Sequence, residues 1–263
     1  MSRPKVNCAV NVPDEDLAYN VIKNIKRGLP QVQPFNVQSE PIALVGGGPS
    51  LEDTFEDLKE KYDKGMKVVS TNGTHDWLIE RGIRPSAHVQ IDARDFNARF
   101  VENWIPECKY LIASQAHPKV FDTLEGANVH IFHCASNRIE AGILHGYYLG
   151  NYYTVVGGST VVLRSIPLLR MLGFDHVEIY GFDSCYLNEK HHAYKQEEND
   201  GHRIAALTAD GRSFDCSLWM YSQAVEFIDM TKKLGHLLNL IIHGDGLIAH
   251  MVKSSAMRVM EKK

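Results

Sequence analysis

The feature that most constrains this chain is a glycine turn between a short apolar run and a helical pattern. Residues 42–45 are apolar, three glycines follow at 46–48, and Pro49 suits the first turn of a helix. In α/β proteins a strand, a glycine turn and a helix form an anion-binding site, called an anion seat below, because free backbone N–H groups and the helix dipole point at the ligand. Two interpretations stay open: a phosphate seat that includes Ser50, or a tight turn without a ligand.

The residues after the glycines exclude two familiar phosphate loops. No Lys-Ser or Lys-Thr pair follows Gly48, so the turn is not a Walker A loop. Leu51 stands where a dinucleotide-binding fingerprint has its third glycine. The turn therefore matches neither fingerprint.

Short apolar runs alternate with helical patterns along the rest of the chain. Such alternation predicts βαβ units and a largely parallel sheet, which is an α/β fold with helices on both faces. The runs that we interpret as strands are residues 67–71, 88–91, 110–113, 129–132, 177–180 and 237–242.

Polar residues follow several of these predicted strands, where open α/β sheets bind ligands. Asn72 can hydrogen-bond a base or a ribose, or close an Asx-type turn. Asp92 can bind a hydroxyl or a metal ion, or cap the following turn. Ser114 and Asp183 occupy equivalent positions after later strands.

A second glycine pair, Gly157 and Gly158, precedes Ser159 and another helical pattern. The hydroxyl and the backbone N–H of Ser159 can be offered to an anion. The alternative is an ordinary helix cap, in which the glycines only allow close packing between helix and strand.

The segment 184–214 is polar and rich in charged residues and histidine, which predicts a long lid-like loop over the ligand. Asp210-Gly211 within it is a hairpin-turn signal. Residues 1–40 read as a helix and an extended connection, an appendage that faces either an acceptor or a second copy in a homo-oligomer. Residues 253–263 are expected to be a frayed tail after a domain that ends at 252.

The composition of the chain limits the classes of function that it can have. The chain has 263 residues, of which 44% are hydrophobic and 23% charged, as in an ordinary soluble globular protein. A net charge of −4 provides no basic field, which argues against nucleic-acid binding. We expect no membrane span, and the five scattered cysteines without a Cys-x-x-Cys pair favour the reducing cytoplasm over a disulfide or zinc framework.

The ordered motifs resemble the MptE-like superfamily, over residues 41–252. That group includes archaeal 6-hydroxymethylpterin diphosphokinases and Maf flagellin glycosyltransferases, and the related bacterial sialyltransferases that use CMP-sialic acid carry a similar Gly-x-Gly-Pro-Ser-Leu loop. The resemblance implies a Rossmann-like, nucleotide-dependent transferase. The motifs are Gly-Gly-Gly-Pro-Ser-Leu (46–51), Asn72-Gly73, Gly82-Ile-Arg-Pro85, Ile91-Asp92, Gly157-Gly158-Ser159 and Gly181-Phe-Asp183 with Tyr186.

Within this superfamily, two features favour the glycosyltransferases: the Gly-Ser helix start at 157–159, and the His192-Ala193 pair, which resembles a Maf His-Ala pair. The diphosphokinases are similar to one another in several aspartates around position 92, whereas this chain has Asp92 followed only by Asp95. Mg²⁺–ATP binding generally needs well-placed carboxylates, so this departure weakens the kinase interpretation.

The predicted activity is transfer of an acidic sugar from a CMP-sugar to an acceptor hydroxyl on a small molecule or glycan. His192, ahead of His191 and His202, is the predicted general base, since imidazole titrates near working pH. One alternative is an ATP- and Mg²⁺-dependent diphosphokinase with Asp92 and Asp183 on the metal, and another is a non-catalytic nucleotide-binding module. The predicted phosphate- and nucleotide-binding residues are Gly46, Gly47, Gly48, Ser50, Asn72, Asp92, Ser114, Gly158, Ser159 and Asp183.

Overall fold

The protein is an α/β domain built on a seven-stranded parallel sheet, seen in a computed structural model that describes residues 12–134, 136–196 and 203–260. The order of strands across the sheet is β5-β4-β3-β2-β1-β6-β9, and β7 and β8 form a separate antiparallel hairpin. The Rossmann-like fold predicted from the sequence is confirmed. The strands are β1 (Ile42–Val45), β2 (Lys67–Thr71), β3 (Ala87–Gln90), β4 (Lys109–Ala113), β5 (Asn128–Phe132), β6 (His176–Tyr180), β7 (Ile204–Ala209), β8 (Arg212–Ser217) and β9 (Asn239–Ile242).

Helices cover both faces of the sheet, because its strands are apolar on both sides. One face packs against α6, α7 and α8, and the other packs against α2 and α3 at one end and α1, α4 and α5 at the other. The helices are α1 (Asp14–Ile25), α2 (Phe55–Asp63), α3 (Thr74–Glu80), α4 (Pro118–Thr123), α5 (Arg138–Tyr148), α6 (Val161–Met171), α7 (Leu218–Leu234) and α8 (Leu247–Met260), with 3-10 turns at Pro49–Leu51 and Asp95–Val101.

The topology places a switch point between β1 and β6. The chain moves outward from β1 to β5, then returns to place β6 on the other side of β1. Val45 and Tyr180 are partners at the carboxyl ends of these two strands. Ligands of open α/β sheets bind in the crevice outside such a point, so the fold itself directs attention to the turns after β1 and β6.

The segment predicted as an N-terminal appendage packs into the domain. In α1, the buried Asn20 side chain donates to the carbonyl oxygens of Ala93 and Gln115, at 3.0 and 3.2 Å. Asn24, also buried, donates to those of Ser114 and Ala116, at 3.0 and 2.7 Å. These hydrogen bonds hold the loops that follow β3 and β4, so α1 stabilises the carboxyl ends of these two strands.

The segment predicted as a long loop contains more structure than the sequence indicated. The hairpin of β7 and β8 occupies residues 204–217, and its turn is the predicted Asp210-Gly211 pair, with φ values of 45° and 81°. Two left-handed residues in succession are typical of the type I′ turn. The predicted domain end at 252 likewise falls within α8, which continues to Met260. Across the residues described here, no helix combines the length and apolarity needed to cross a membrane.

We predict that Asn24→Ala destabilises the domain by about 1–3 kcal/mol, because two buried carbonyl groups lose their donor. The free energy of unfolding in urea measures this cost. Lys23→Ala, at an exposed position of the same helix, is the matched control and is expected to change stability little. Equal stability of the two variants would mean that α1 does not brace the strand ends.

Candidate functional site

A cleft of about 600 Å³ opens at the carboxyl ends of the strands, at the switch point. The turns after β1, β2, β3 and β6 line its floor, and the starts of α6 and α7 line the opposite wall. Residues of the segment 191–196 also line it, and this segment is called the covering segment below. Most residues predicted from the sequence to bind a nucleotide border this cleft.

The glycine turn after β1 does not present the array of free N–H groups that an anion seat requires. The N–H of Gly46 donates to the Tyr180 carbonyl at 2.9 Å, and the N–H of Gly48 donates to that of Gly181 at 2.7 Å. Ser50 donates its N–H to the Asp183 carboxylate at 2.9 Å. Of the predicted backbone donors in this turn, those of Gly46, Gly47, Gly48 and Ser50, only that of Gly47 has no acceptor within the described part of the chain. The expectation of a multi-donor phosphate seat here is corrected accordingly.

Asp183 is an internal anion for this turn. It is 2% exposed, and the Cα atoms of Gly48 and Gly246 pack against its carboxylate. Its own backbone carbonyl accepts from the N–H of Ile248 in α8 at 3.3 Å. Burial raises the pKa of this carboxyl, while the hydrogen bonds from Ser50 oppose that effect. Asp183 thus joins three segments of the fold.

The glycines of the first turn are required for space rather than for a left-handed backbone. Neither Gly47 nor Gly48 has a positive φ. A Cβ at Gly48 would overlap the carboxylate of Asp183 and the Gly181 carbonyl, and one at Gly47 would overlap the Tyr194 hydroxyl and approach His192 to 2.9 Å. The turn is therefore packed on β6 on one side and on the covering segment on the other.

Asn72 lies in the cleft with an unsatisfied amide. It follows β2 in a left-handed conformation, with φ of 46°, and its Oδ1 is buried without a hydrogen-bond donor. A buried acceptor without a partner is costly, and a ligand donor would satisfy it. The position fits the predicted contact to a base or ribose.

Ser114 lies outside the cleft, contrary to expectation. Its hydroxyl is fully buried and donates to Glu140 at 3.2 Å, while its N–H donates to Phe132 at 2.8 Å. Its neighbour Gln115 lines the cleft instead, fixed by a bond from its side-chain amide to the Ile91 carbonyl at 2.9 Å. At the end of this strand, therefore, Gln115 rather than the predicted Ser114 borders the cleft.

Asp92 borders the cleft as an ion pair. The Arg94 side chain donates to both of its carboxylate oxygens, at 3.0 and 2.6 Å, and the Arg94 N–H donates to one of them at 3.0 Å. Within the described residues, no group of three or more His, Cys, Asp or Glu side chains is placed to hold a metal ion. Asp92 and Asp183 thus both accept hydrogen bonds within the protein, and neither belongs to such a group.

Two of the predicted catalytic histidines lie at the cleft. His191 and His192 line it, with their Nδ1 atoms 2.6 Å apart, so one ring donates to the other. The third, His202, is outside the described residues. The N–H of Ala193 donates to the Gly47 carbonyl at 3.0 Å, which fixes this segment on the glycine turn. Burial raises the pKa of Tyr194 well above its ordinary value, so its hydroxyl stays protonated.

The second glycine site holds another internal anion. The N–H and the Oγ of Ser159 both donate to one carboxylate oxygen of Glu226 in α7, each at 2.8 Å. Gly158 has φ of +59°, and a Cβ there would overlap Leu163. Arg164, 9% exposed, donates to the carbonyls of Cys134, Val155 and Gly158 and borders the same cleft. The predicted N-cap role falls to Thr160.

Sequence reasoning missed several cleft residues, for two reasons. Some are distant in sequence from the motif that they contact, as Glu226 is from Ser159, and no local pattern predicts such pairs. Others follow a recognised position by one residue, as Gln115 does. The cleft residues that were not predicted include Gln115, Arg164, Trp219, Gln223 and Glu226.

Comparisons with known proteins identify a matching family model and structures of similar fold. A family model described as 6-hydroxymethylpterin diphosphokinase MptE-like matches residues 17–189, more than half of the chain. The structure resembles a Maf glycosyltransferase from Magnetospirillum magneticum AMB-1 at 16% identity and a TM-score of 0.69, over 92% of this chain and 38% of that one. The chain thus spans well under half the length of that relative.

A second similar structure is a mammalian sialyltransferase in complex with Gal-beta-1-3GalNAc-ortho-nitrophenol. The identity is 13%, with 92% of this chain and 90% of that chain covered, but the TM-score of 0.43 is too low to support an argument. No curated protein matches this chain in sequence.

We predict that Asp183→Ala destabilises the protein by about 1–3 kcal/mol, since the buried Ser50 N–H loses its acceptor. Asp183→Asn keeps an acceptor oxygen and should cost much less. The exposed Asp53→Ala is the control. Urea unfolding with and without Mg²⁺ measures these effects, and a structural role requires them to be independent of Mg²⁺.

The pH dependence provides a second check. The folded pKa of Asp183 lies above its unfolded value, so the unfolded state loses this proton first as pH rises from about 4. The Asp183 carboxyl therefore makes the free energy of unfolding of the wild type decline as the pH rises from the unfolded pKa towards the folded pKa. Asp183→Asn should remove this decline. A steep requirement for Mg²⁺ in Asp183→Asn would instead identify a metal ligand.

Proposed function

The chain belongs to the MptE-like family, and from that premise we propose that it is a glycosyltransferase that moves an acidic sugar from a CMP-sugar to an acceptor hydroxyl. The observation that carries the proposal is the chemistry of the cleft. The groups that line it include amides, hydroxyls and two histidines, whereas both candidate metal carboxylates are engaged within the fold. Such a cleft suits a donor whose leaving nucleotide needs no metal ion.

The nucleoside would lie over the ends of β2 and β4. Asn72 offers its unsatisfied amide to the base or ribose, and Gln115 borders the same side of the cleft. The buried Oδ1 of Asn72 can accept from the exocyclic amino group of cytosine, a contact compatible with the proposed cytidine nucleotide.

The donor phosphate would lie near Gly47, the residue whose N–H remains available. The Tyr194 hydroxyl packs beside this glycine and stays protonated, so it can donate to the leaving phosphate. Ser159, on the opposite wall, offers an N–H and a hydroxyl to a second anionic group, which in this donor is the sugar carboxylate. The two seats together would orient the donor across the cleft.

His192 would act as the general base. When its Nδ1–H donates to the Nδ1 of His191, its Nε2 carries the lone pair that accepts the proton of the acceptor hydroxyl. His191 then acts as a positioning residue, because it selects this tautomer. The bond from Ala193 to the Gly47 carbonyl keeps the imidazole beside the donor phosphate seat.

One observation favours a second function. The matching family model is described by a 6-hydroxymethylpterin diphosphokinase, an activity that would transfer diphosphate from ATP with Mg²⁺. For this chain it would require Asp92 to leave Arg94, and Asp183 to leave Ser50. A non-catalytic nucleotide-binding module is the third candidate, and it would bind a nucleotide without turnover.

A thermal-shift screen of CMP, CDP, UDP, ATP and GTP, with and without Mg²⁺, tests these functions. A ligand at 100 times its Kd stabilises the folded state by about 2.7 kcal/mol, which such a screen detects. We expect stabilisation by cytidine nucleotides that does not depend on Mg²⁺. A response to ATP that requires Mg²⁺ would support the diphosphokinase, and no response to any nucleotide would refute all three candidates.

We predict that His192→Ala lowers kcat at least about a hundredfold while the Kd of the donor nucleotide changes little, because a base acts in the transition state. His236→Ala, an exposed histidine outside the cleft, is the control. Steady-state kinetics with CMP-sialic acid and a galactoside acceptor provide kcat, and CMP titration provides Kd. Normal turnover in His192→Ala would exclude this histidine as the base.

A further inference from the structure

The wall formed by α7 places the carboxylate of Glu226 at Ser159, whose N–H and hydroxyl both donate hydrogen bonds to it. Trp219, Met220, Gln223 and Glu226 recur at helical spacing, so one face of α7 borders the cleft. From this face, the carboxylate of Glu226 contacts Ser159 at the start of α6, on the same wall of the cleft. The two residues are 67 positions apart, so the contact depends on the tertiary fold.

Ser159 gives this carboxylate two hydrogen bonds. Its N–H and Oγ both lie 2.8 Å from the same oxygen of Glu226. Ser159 directly precedes Thr160, the N-cap of the eleven-residue α6, so it sits at the positive end of the helix dipole. A carboxylate and a phosphate accept the same pair of donors, and both gain from the dipole.

Arg164 provides an independent indication that this place favours anions. Its side chain is more than nine-tenths buried, borders the cleft one turn into α6, and leaves its Nε without an acceptor. Its other bonds go to three main-chain carbonyls, and no carboxylate of the described residues lies within ion-pair distance of it. A buried positive charge without a counter-ion raises the affinity of its surroundings for an anion.

We infer that Glu226 is a placeholder anion: it occupies the Ser159 seat until the anionic group of the substrate displaces it. This deepens the proposed function and rests on it only for the identity of the substrate. Glu226 is partly exposed on one helix face, so a change of side-chain rotamer can vacate the seat without unfolding α7.

The placeholder confers selectivity. A ligand without an anionic group at this position cannot replace the two hydrogen bonds that Glu226 already receives, so it gains nothing from the seat. When the nucleoside of a substrate is already bound, the anionic group of the same substrate competes with Glu226. Because the two parts are covalently linked, this anionic group is present at high effective concentration. Free inorganic anions lack that advantage, and the carboxylate keeps them out.

The test compares Glu226→Gln with wild type in binding of two probes: N-acetylneuraminate, which carries a carboxylate, and inorganic phosphate. Binding is measured by isothermal titration at constant ionic strength. Glutamine keeps the shape but loses the charge, so we expect at least one probe to bind about tenfold more tightly. Asp229→Asn removes one charge from the same helix outside the cleft and should leave both affinities unchanged.

Ser159→Ala completes the cycle. Removing the Oγ should weaken binding of the responsive probe, and in the double variant the gain from Glu226→Gln should shrink. The probe that responds identifies the group the seat accepts, either a carboxylate or a phosphate. Unchanged or weaker binding of both probes to Glu226→Gln would overturn the inference, as would a gain that Ser159→Ala leaves intact.

The same variants distinguish failure of the proposed function from failure of the inference about Glu226. If Glu226→Gln binds a probe more tightly but no variant transfers sugar from CMP-sialic acid, the placeholder stands and the transferase assignment falls. If wild type transfers sugar and Glu226→Gln shows no gain in anion affinity, the assignment stands and the placeholder falls. Glu226→Ala, which removes the whole carboxylate, must agree with Glu226→Gln for either conclusion.

Discussion

The contact between the Ser50 N–H and the buried carboxylate of Asp183 determines the form of the cleft. It joins the turn after β1 to the turn after β6, across the only place where the strand order reverses within the described sheet. The Gly48–Gly181 bond, at 2.7 Å, makes the same connection through the main chain. Two turns held so closely leave little room for a phosphate between them. Ligand contacts must therefore come from residues around the floor of the cleft.

Two carboxylates thus serve as internal anions, and their surroundings separate their roles. Asp183 is enclosed by glycines of two other segments, and its removal would leave a buried donor unsatisfied. Glu226 receives two donors as well, but at the cleft surface, from a helix that can release it. A buried anion of this kind is part of the fold, whereas an exposed one is exchangeable. The same chemistry can therefore provide rigidity at one glycine site and selectivity at the other.

The sequence was sufficient to predict a largely parallel α/β sheet, because apolar runs and glycine turns are local signals, but it did not indicate the order of the strands. It also located Asn72, His191 and His192 at the cleft, since residues after parallel strands meet at one edge. It could not show which N–H groups stay free, because Gly48 and Ser50 are satisfied by β6, more than a hundred residues away. Nor could it distinguish Ser114 from Gln115, since the pairing with β5 decides which of them faces the cleft.

The two walls of the cleft differ in chemistry, and this difference bears on how a transfer reaction could be arranged. The strand ends offer amides and a glycine N–H, which suit a polar nucleotide. The α7 wall offers the half-exposed Trp219 beside Gln223, which suits the flat, partly apolar face of a sugar ring. The family match ends at residue 189, before α7 begins. The α7 wall therefore lies in the part of the chain that the family model does not describe, and His191 and His192 lie just after the residue at which the match ends.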